Sequence, residues 1–512
     1  MILEKNFLAN KSVISISKKV LYLVVLIAFL VPRILTLGID MSNSDALRWH
    51  DRSENFLNAL KRGDFKSTYQ RYHPGVILMW IGATASQVLL WTQQNFSSEI
   101  KTYGNADFYP VMHGLSKILV VLVLFVCLSL QLFFIRELFG DRIALLYGFF
   151  VAVEPYLVGI NRWFHLSSLE AFFAFVSILS VLEFLKTRKS IFIVISAIFS
   201  GLGVLTKMTV FITACFVTLL IVYECVRKKL GLQYILIYVF AFIFTFFIFF
   251  PALWVDPLGV ASKMYNALFN AVVLDPRGDL LSTYAKVFYY PLVFLFKSSP
   301  LLVISSLYSM VVILKKGKFA EKIVLLYFAS VLLVLSFADQ KIDRYVIALF
   351  LPMILLMSRT VAGFNRKLLR LFVICQLLFF TYATFCYYPV YSAYISPLVG
   401  FRRVLSWGLY ENSGEYYANA ALYLNTKGRE VSVYVPNNIY SFKPYYKGKI
   451  TSEQALANYI VYGLDFDRKQ FPIFVGCSVE RYFGNKVYFP VAVYRCTSGS
   501  LSFVETKTTQ IY

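Results

Sequence analysis

Long continuous apolar stretches recur along the chain, separated by short polar turns. A membrane span needs roughly 20 apolar residues, and such stretches lie near 20–39, 114–135, 142–160, 166–185, 190–206, 208–226, 232–253, 287–314, 322–338, 344–360 and 368–388. They make eleven crossings. A further apolar run from Pro74 to Trp91 has the length of another span. The pattern predicts a polytopic α-helical membrane protein with about 11 to 13 transmembrane helices.

The polar turns orient these spans. Lys and Arg gather at Lys186 to Lys189, Arg227 to Lys229, Lys315 to Lys322 and Arg366 to Arg370, and short basic loops face the cytoplasm. With a cytoplasmic N-terminus, eleven crossings place all four clusters on that side. A single crossing by 74–91 would put every later cluster outside, so that run reads as an interfacial or re-entrant helix of the first outer loop, 40–113. Lys5, Lys11, Lys18 and Lys19 precede the apolar run Val20 to Leu30 as in a signal peptide, but no small-residue cleavage pattern follows, which predicts an uncleaved first span. The outer face then receives loop 40–113, the turns at Glu154 to His165 and at Lys207, the loop Trp254 to Lys286, the stretch Lys341 to Arg344, and everything after about Tyr391. His50, His73, His113 and His165, all four histidines, fall there.

From Gly400 the pattern shortens. Residues 413–426 read as an amphipathic helix, and 429–435, ANYIVYGLDF, FPIFVGCSV and VYFPVAVYRC read as strands with turn residues between them. The expected organisation is a membrane domain over 1–395 and a small extracytoplasmic α/β domain over 396–512. Cys477 and Cys496 lie on neighbouring predicted strands, where a disulfide and two buried free thiols are both open.

Composition agrees with the membrane assignment. The chain is 58% hydrophobic and only 15% charged, with a mean hydropathy of +0.64, too apolar for a water-soluble surface. Its formal charge of +22 sits in clusters between apolar stretches, which suits anionic lipid head groups and not nucleic acid. Seven cysteines in no metal-ligand spacing argue against zinc or iron–sulfur chemistry. No internal repeat or low-complexity tract is present.

Candidate chemistry concentrates on the outer face. Asp40, Asp45, Asp51, Glu54 and Asp64 crowd the first loop, where a partly desolvated carboxylate near cations can serve as a general base. Most such acids simply solvate a loop. Arg33, Arg71, His73, Arg162, Lys207, Lys297, Lys341 and Arg344 lie at or near the ends of apolar segments, where charge is costly unless paired or functional. Facing a cavity, such cations would suit a lipid phosphate. Lys341-Ile-Asp343-Arg344-Tyr345 puts three charges at the mouth of one span, and an interfacial ion pair is the plain alternative. No spacing demands a metal ion.

Six strings in order carry a resemblance: WHDRSENFLNALKRGDFKSTYQRYHPGVILMW after the first span, EPYLVGINRWFHLSSLEAFF, GLGVLTKMT, PALWVDPLG, YYPLVFLFKSSP and KIDRY. The chain resembles the polyprenyl-phosphate-sugar-dependent glycosyltransferases of the GT-C superfamily, specifically family 39, the protein O-mannosyltransferase-like group, and is similar to the lipid A aminoarabinose transferases. The resemblance implies an inverting transferase that passes a sugar from a polyprenyl phosphate, undecaprenyl by its likeness to bacterial members, to a protein, glycolipid or glycan hydroxyl outside the plasma membrane. It implies Asp45 as catalytic base and Glu154 as a second catalytic acid, with Arg71, His73, Arg162, His165, Lys207, Lys341, Asp343, Arg344 and Tyr345 around the donor phosphate.

Three positions depart from the family pattern. Ala46 stands where relatives carry a second acid, Ser167 where many carry aspartate, leaving Glu170 as a substitute, and His73 where the lipid A transferases carry lysine. The first departure weakens any case for a divalent metal, which stays open. A protonated His73 would hold phosphate in a pH-dependent way. A transporter or flippase of lipid-linked sugars is the alternative, though it predicts paired inverted repeats that the chain lacks.

Overall fold

A computed structural model describes residues 2–71, 73–96, 101, 104–273 and 283–497, and of 2–17, 267–273 and 283–285 the backbone alone. Parts of the expected outer loops (97–100, 102, 103, 274–282) and residues 498–512 of the C-terminal segment lie outside the described residues.

The apolar stretches form helices, because only a helix satisfies every backbone group from within a segment inside a bilayer. Among the described residues, seven helices are long and apolar enough to cross a membrane, or eight if one bent pair counts as a span. The helix Val76–Phe96 is one of the seven and runs unbroken for 21 residues. Outward side chains such as Leu236 and Phe240, about 70% exposed on helix Gln233–Phe249, mark surface that only lipid would cover. This is a multi-pass membrane protein.

Helix Leu166–Thr187 is the most enclosed. Its Ser177 hydroxyl meets those of Ser196 (3.0 Å) and Ser200 (2.7 Å) on Ser190–Thr206, and Tyr238 donates to Ser200 at 2.8 Å. Small residues bonded across helices replace the hydrophobic drive that lipid cannot supply.

Two expected spans are broken. The stretch 142–160 is Asp141–Val153 and Pro155–Asn161, bent by 71° at Glu154. The stretch 287–314 is Thr283–Lys297 followed by Pro300–Lys316. Proline at each second start lacks an N–H and disfavours helix in the residue before it. The two breaks meet: the buried Glu154 carboxylate accepts from the Ser299 N–H and hydroxyl, both at 2.7 Å.

The first loop is pinned by a buried charge cluster. Asp40 accepts from Lys117 on helix Tyr109–Phe139 at 2.7 Å and from Arg162 at 3.0 Å. Lys117 also reaches the Met41 carbonyl at 2.7 Å and Arg162 the Pro32 carbonyl at 2.6 Å. The turn before Asp40 needs Gly38, whose φ is +92° and where a Cβ would stand 2.0 Å from the Pro110 carbonyl oxygen.

The four basic loops and Lys18 of the first helix share one end of the bundle. Lys186 bonds the Glu137 carbonyl, Arg188 pairs with Glu224, Lys18 with Asp141, and Arg142 reaches the Phe364 carbonyl. His165, Lys207 and Arg344 lie at the opposite ends of helices that carry these loops, and Asp45 lies against His165 and Arg344.

The C-terminal region carries a five-stranded mixed sheet: β1 (Ser432–Tyr434), β2 (Lys449–Thr451), β3 (Tyr459–Gly463), β4 (Cys477–Phe483) and β5 (Val491–Cys496), in the order β2-β1-β3-β5-β4. The first three are parallel and β4 and β5 antiparallel. Cys477 and Cys496 face each other across β4 and β5 as a disulfide. The expected strand FPIFVGCSV is strand only from Cys477 on, and β2 was not among the expected strands. The helix expected at 413–426 is Tyr417–Asn425; the residues before it turn back to the membrane domain, where Ser44 donates to the Ser413 carbonyl at 2.8 Å.

Replacing Asp40 with Ala strands two buried cations. Breaking a buried pair from one side costs about 3–5 kcal/mol, so thermal unfolding of Asp40→Ala in detergent should begin well below that of wild type.

Candidate functional site

Asp45 sits at the N-cap of helix Ala46–Lys61. Asn43 holds it there, its side-chain oxygen accepting the Asp45 N–H at 3.1 Å. One carboxylate oxygen, Oδ2, faces Arg344 Nη2 at 3.0 Å and His165 Nε2 at 3.5 Å, while Arg48 lies 3.7 Å from Oδ1. The side chain keeps 27% exposure, so one edge remains open to a substrate. Burial alone would raise its pKa, but the His165 hydrogen bond and the charges of Arg344 and Arg48 bring it well below the usual carboxylate range.

His165 has a defined tautomer. Its Nδ1 accepts the Ser167 N–H at 3.2 Å as N-cap of helix Leu166–Thr187, so the ring proton belongs on Nε2, pointing at Asp45. Burial lowers its pKa to about 4 against the pull of Asp45, and the ring donates as a neutral group. Ser167, where the family pattern has aspartate, thus orients this histidine.

Arg344 comes from the 3-10 turn Asp343–Val346 that starts helix Ile347–Val361. Its guanidinium bridges two carboxylates, Asp45 and, through Nη1 at 3.2 Å, Glu411. Glu411 also accepts the Asp343 N–H at 3.0 Å. Burial, with Asp343 beside it, pushes Glu411 up to about 8 in spite of Arg344. Lys297 balances Asp343 at 3.1 Å.

A second group lies beside the first. Lys207 pairs with Glu170 at 2.7 Å and stands 3.5 Å above the Tyr345 ring, and Thr209 bonds the other Glu170 oxygen. These four line a small cavity together with Ala174, Val210, Val331 and Leu335. The Gly75 N–H bonds the Thr206 carbonyl at 3.1 Å and brings the His73 segment to this rim. Burial and the charges of Lys207, Arg71, His165 and Arg344 hold His73 well below its ordinary pKa. Burial first, and the neighbouring cations next, disfavour the charged ring that the holding of phosphate by His73 would use.

Of the residues expected at the site, Asp45, Arg71, His73, His165, Lys207, Asp343, Arg344 and Tyr345 converge here. Three do not. Glu154 is spent on Ser299 at the paired helix breaks. Arg162 is spent on Asp40. Lys341 caps helix Phe319–Phe337, donating to the Leu335 and Ser336 carbonyls at 3.0 and 2.7 Å. Glu411 was missed. It is one of two acids in WGLYENSGEYY, an aromatic-rich run after the last span, which was the available signal.

Among the described residues no three His, Cys, Asp or Glu side chains gather as metal ligands. Asp45 faces two guanidinium groups and an imidazole N–H, a set that does not fit a divalent cation.

Removal of the Glu411 carboxylate by Glu411→Ala leaves the Asp343 N–H without its acceptor. The cost of such a loss is about 1–3 kcal/mol, and hydrogen exchange should show faster exchange at Asp343 and in the 411–416 turn.

No family model matches this chain, and no curated protein does. Among solved structures, ArnT from Cupriavidus metallidurans bound to undecaprenyl phosphate superposes with a TM-score of 0.51 at 13% sequence identity, over 83% of this chain and 74% of that one. The oligosaccharyltransferase AglB from Archaeoglobus fulgidus, in complex with an inhibitory peptide and a dolichol-phosphate, aligns at a TM-score of 0.43 and 13% identity over 87% of this chain and 69% of that one, too loosely to carry weight. At such identity the likeness to ArnT is one of fold, and the chain is a multi-pass membrane protein with the GT-C fold.

Proposed function

We propose that the chain is an inverting glycosyltransferase that takes a sugar from a polyprenyl phosphate, undecaprenyl phosphate in a bacterial plasma membrane, and passes it to an acceptor hydroxyl on the extracytoplasmic face. The observation that carries this reading is the pairing of a partly exposed, cation-held carboxylate, Asp45, with the neighbouring small cavity lined by Lys207 and by apolar side chains. A base for a hydroxyl and a seat for a lipid phosphate are what such a transfer needs. The likeness in fold to ArnT, solved with undecaprenyl phosphate, supports the lipid class.

The chemistry follows from the arrangement. An Asp45 oxygen accepts the proton of the acceptor hydroxyl as its oxygen attacks the anomeric carbon from the face opposite the phosphate. The glycosidic C–O bond breaks, and its electron pair leaves on the phosphate oxygen. Arg344 and Lys207 stabilise that growing charge. A carboxylate clamped by Arg344 is a weak base. An arriving phosphate competes for the guanidinium, and Asp45 regains basicity as Arg344 turns to it. The donor thereby arms the base that consumes it.

The acceptor class, protein, glycolipid or glycan, and the sugar, a hexose or pentose in a mannosyltransferase-like reaction, follow from the family resemblance. The outer face follows from the basic loops at the other end.

Asp45→Asn should lower turnover by two or more orders of magnitude while the protein stays folded, read as free polyprenyl phosphate released from a panel of radiolabelled polyprenyl-phosphate sugars with membrane extract as acceptor. If no donor is consumed and labelled lipid instead crosses a vesicle bilayer, a transporter replaces the transferase.

The depressed pKa of Asp45 sets a pH signature. Arg344 lowers it, so Arg344→Gln must raise it. The acidic limb of kcat/KM should move to higher pH in that variant, beyond any drop in the plateau; an unmoved limb would show that another group is the base.

A further inference from the structure

The bundle end opposite Asp45 holds a cleft of about 600 Å³. It is built where the first helix, the turn joining Tyr109–Phe139 to Asp141–Val153, the start of Phe319–Phe337 and the end of Ile347–Val361 meet. Six charged side chains line it: Lys18, Asp141, Arg142, Lys318, Glu321 and Arg359. Lys18 neutralises Asp141 at 2.8 Å and Arg359 neutralises Glu321 at 2.6 Å. The other two cations stay uncompensated. Arg142 donates only to the Phe364 carbonyl, at 3.1 Å, and among the described residues Arg142 and Lys318 form no ion pair. Both are exposed. Four cations against two carboxylates leave two positive charges facing one hollow.

The cleft has an apolar side as well, formed by Leu138, Phe139 and Ile143, and beside it Val20, Leu21 and Phe319 are about half exposed on helix surfaces that only acyl chains would cover. A soluble anion has no use for that wall. A phospholipid does, because its phosphate and its glycerol backbone with acyl chains need both surfaces at one depth. Basic pockets between spanning helices on the cytoplasmic side are where anionic lipid head groups settle.

We propose that this cleft binds the phosphate of an anionic phospholipid from the leaflet opposite the Asp45 site, with Arg142 and Lys318 as the phosphate-holding cations. The site is independent of the sugar transfer. It uses none of the residues around Asp45.

The full chain is placed in nanodiscs of phosphatidylcholine and of an equal mixture of phosphatidylcholine and phosphatidylglycerol, and retained lipid is counted by native mass spectrometry after release. Wild type should keep phosphatidylglycerol in preference to phosphatidylcholine. Each cation removed should weaken retention about fivefold, so Arg142→Gln with Lys318→Gln should lose it about 25-fold, whereas Lys229→Gln, outside the cleft, should match wild type. Equal melting of the variants in pure phosphatidylcholine discs shows that folding is intact. If the double variant does not fold, Lys318→Gln alone, at an exposed position, should still show the fivefold loss.

Unchanged retention in the variants overturns the site. So does saturation by inorganic phosphate in phosphatidylcholine discs with the same dependence on Arg142 and Lys318, which would make the ligand a soluble anion. Sugar transfer is not read in this experiment, so its outcome and that of the transferase assay stand apart.

Discussion

Burying charge in a lipid-facing bundle is expensive, and this protein spends that cost first at Asp40. Its carboxylate takes Lys117 and Arg162, which arrive from helices far apart in sequence, and those cations in turn hold the Met41 and Pro32 carbonyls. Arg33 extends the same logic one turn back, donating to the Val151 and Ala152 carbonyls at 2.8 and 3.2 Å where the next span bends. A full charge in such a place is tolerated only when every neighbour answers it. The first loop is thereby fixed at its root. Asp45, five residues on, has a defined position before any substrate arrives.

The site itself repeats the device with one difference: it is left incomplete on one side. Arg344 is shared between Asp45 and Glu411, and His165 adds a neutral donor. Ala46 stands where the family it resembles places a second acid beside the proposed base, yet a second acidic side chain, Glu411, still flanks Arg344, supplied by the segment that leads into the C-terminal sheet. The extramembrane region is therefore part of the site's electrostatics. Its turn at 411–415 reaches back to Asp343, Arg344 and Ser392, and Tyr445 reaches the carbonyl of Gly38 at 2.6 Å.

Polarity divides the molecule along the bundle axis. One end gathers the basic loops and a cleft with two uncompensated cations. The other gathers histidines, acids and the amphipathic cavity at Lys207. The helix breaks at Glu154 and Ser299 let the spans between the two ends deviate from straight rods without stranding backbone groups, since each break satisfies the other.

Much of the architecture was legible in the residues alone. Apolar run length announces helices in a bilayer, because the backbone has no other partner there. Clustered Lys and Arg mark one end, the short alternating strands mark the sheet, and the single acid in NSDALRW marks the base proposed here. Hydropathy and spacing are local quantities, however, and which charge answers which is not. Arg162 and Lys341 look in sequence like Arg344, a cation at the mouth of a span. Folding gives the first to Asp40, the second to the carbonyls of a helix end, and only the third to Asp45. Glu154 looks like a catalytic acid and becomes a partner for Ser299, while Glu411, in a run that reads as surface, enters the site. Those choices depend on which helix ends meet, and only the tertiary structure brings ends more than a hundred residues apart within 3 Å.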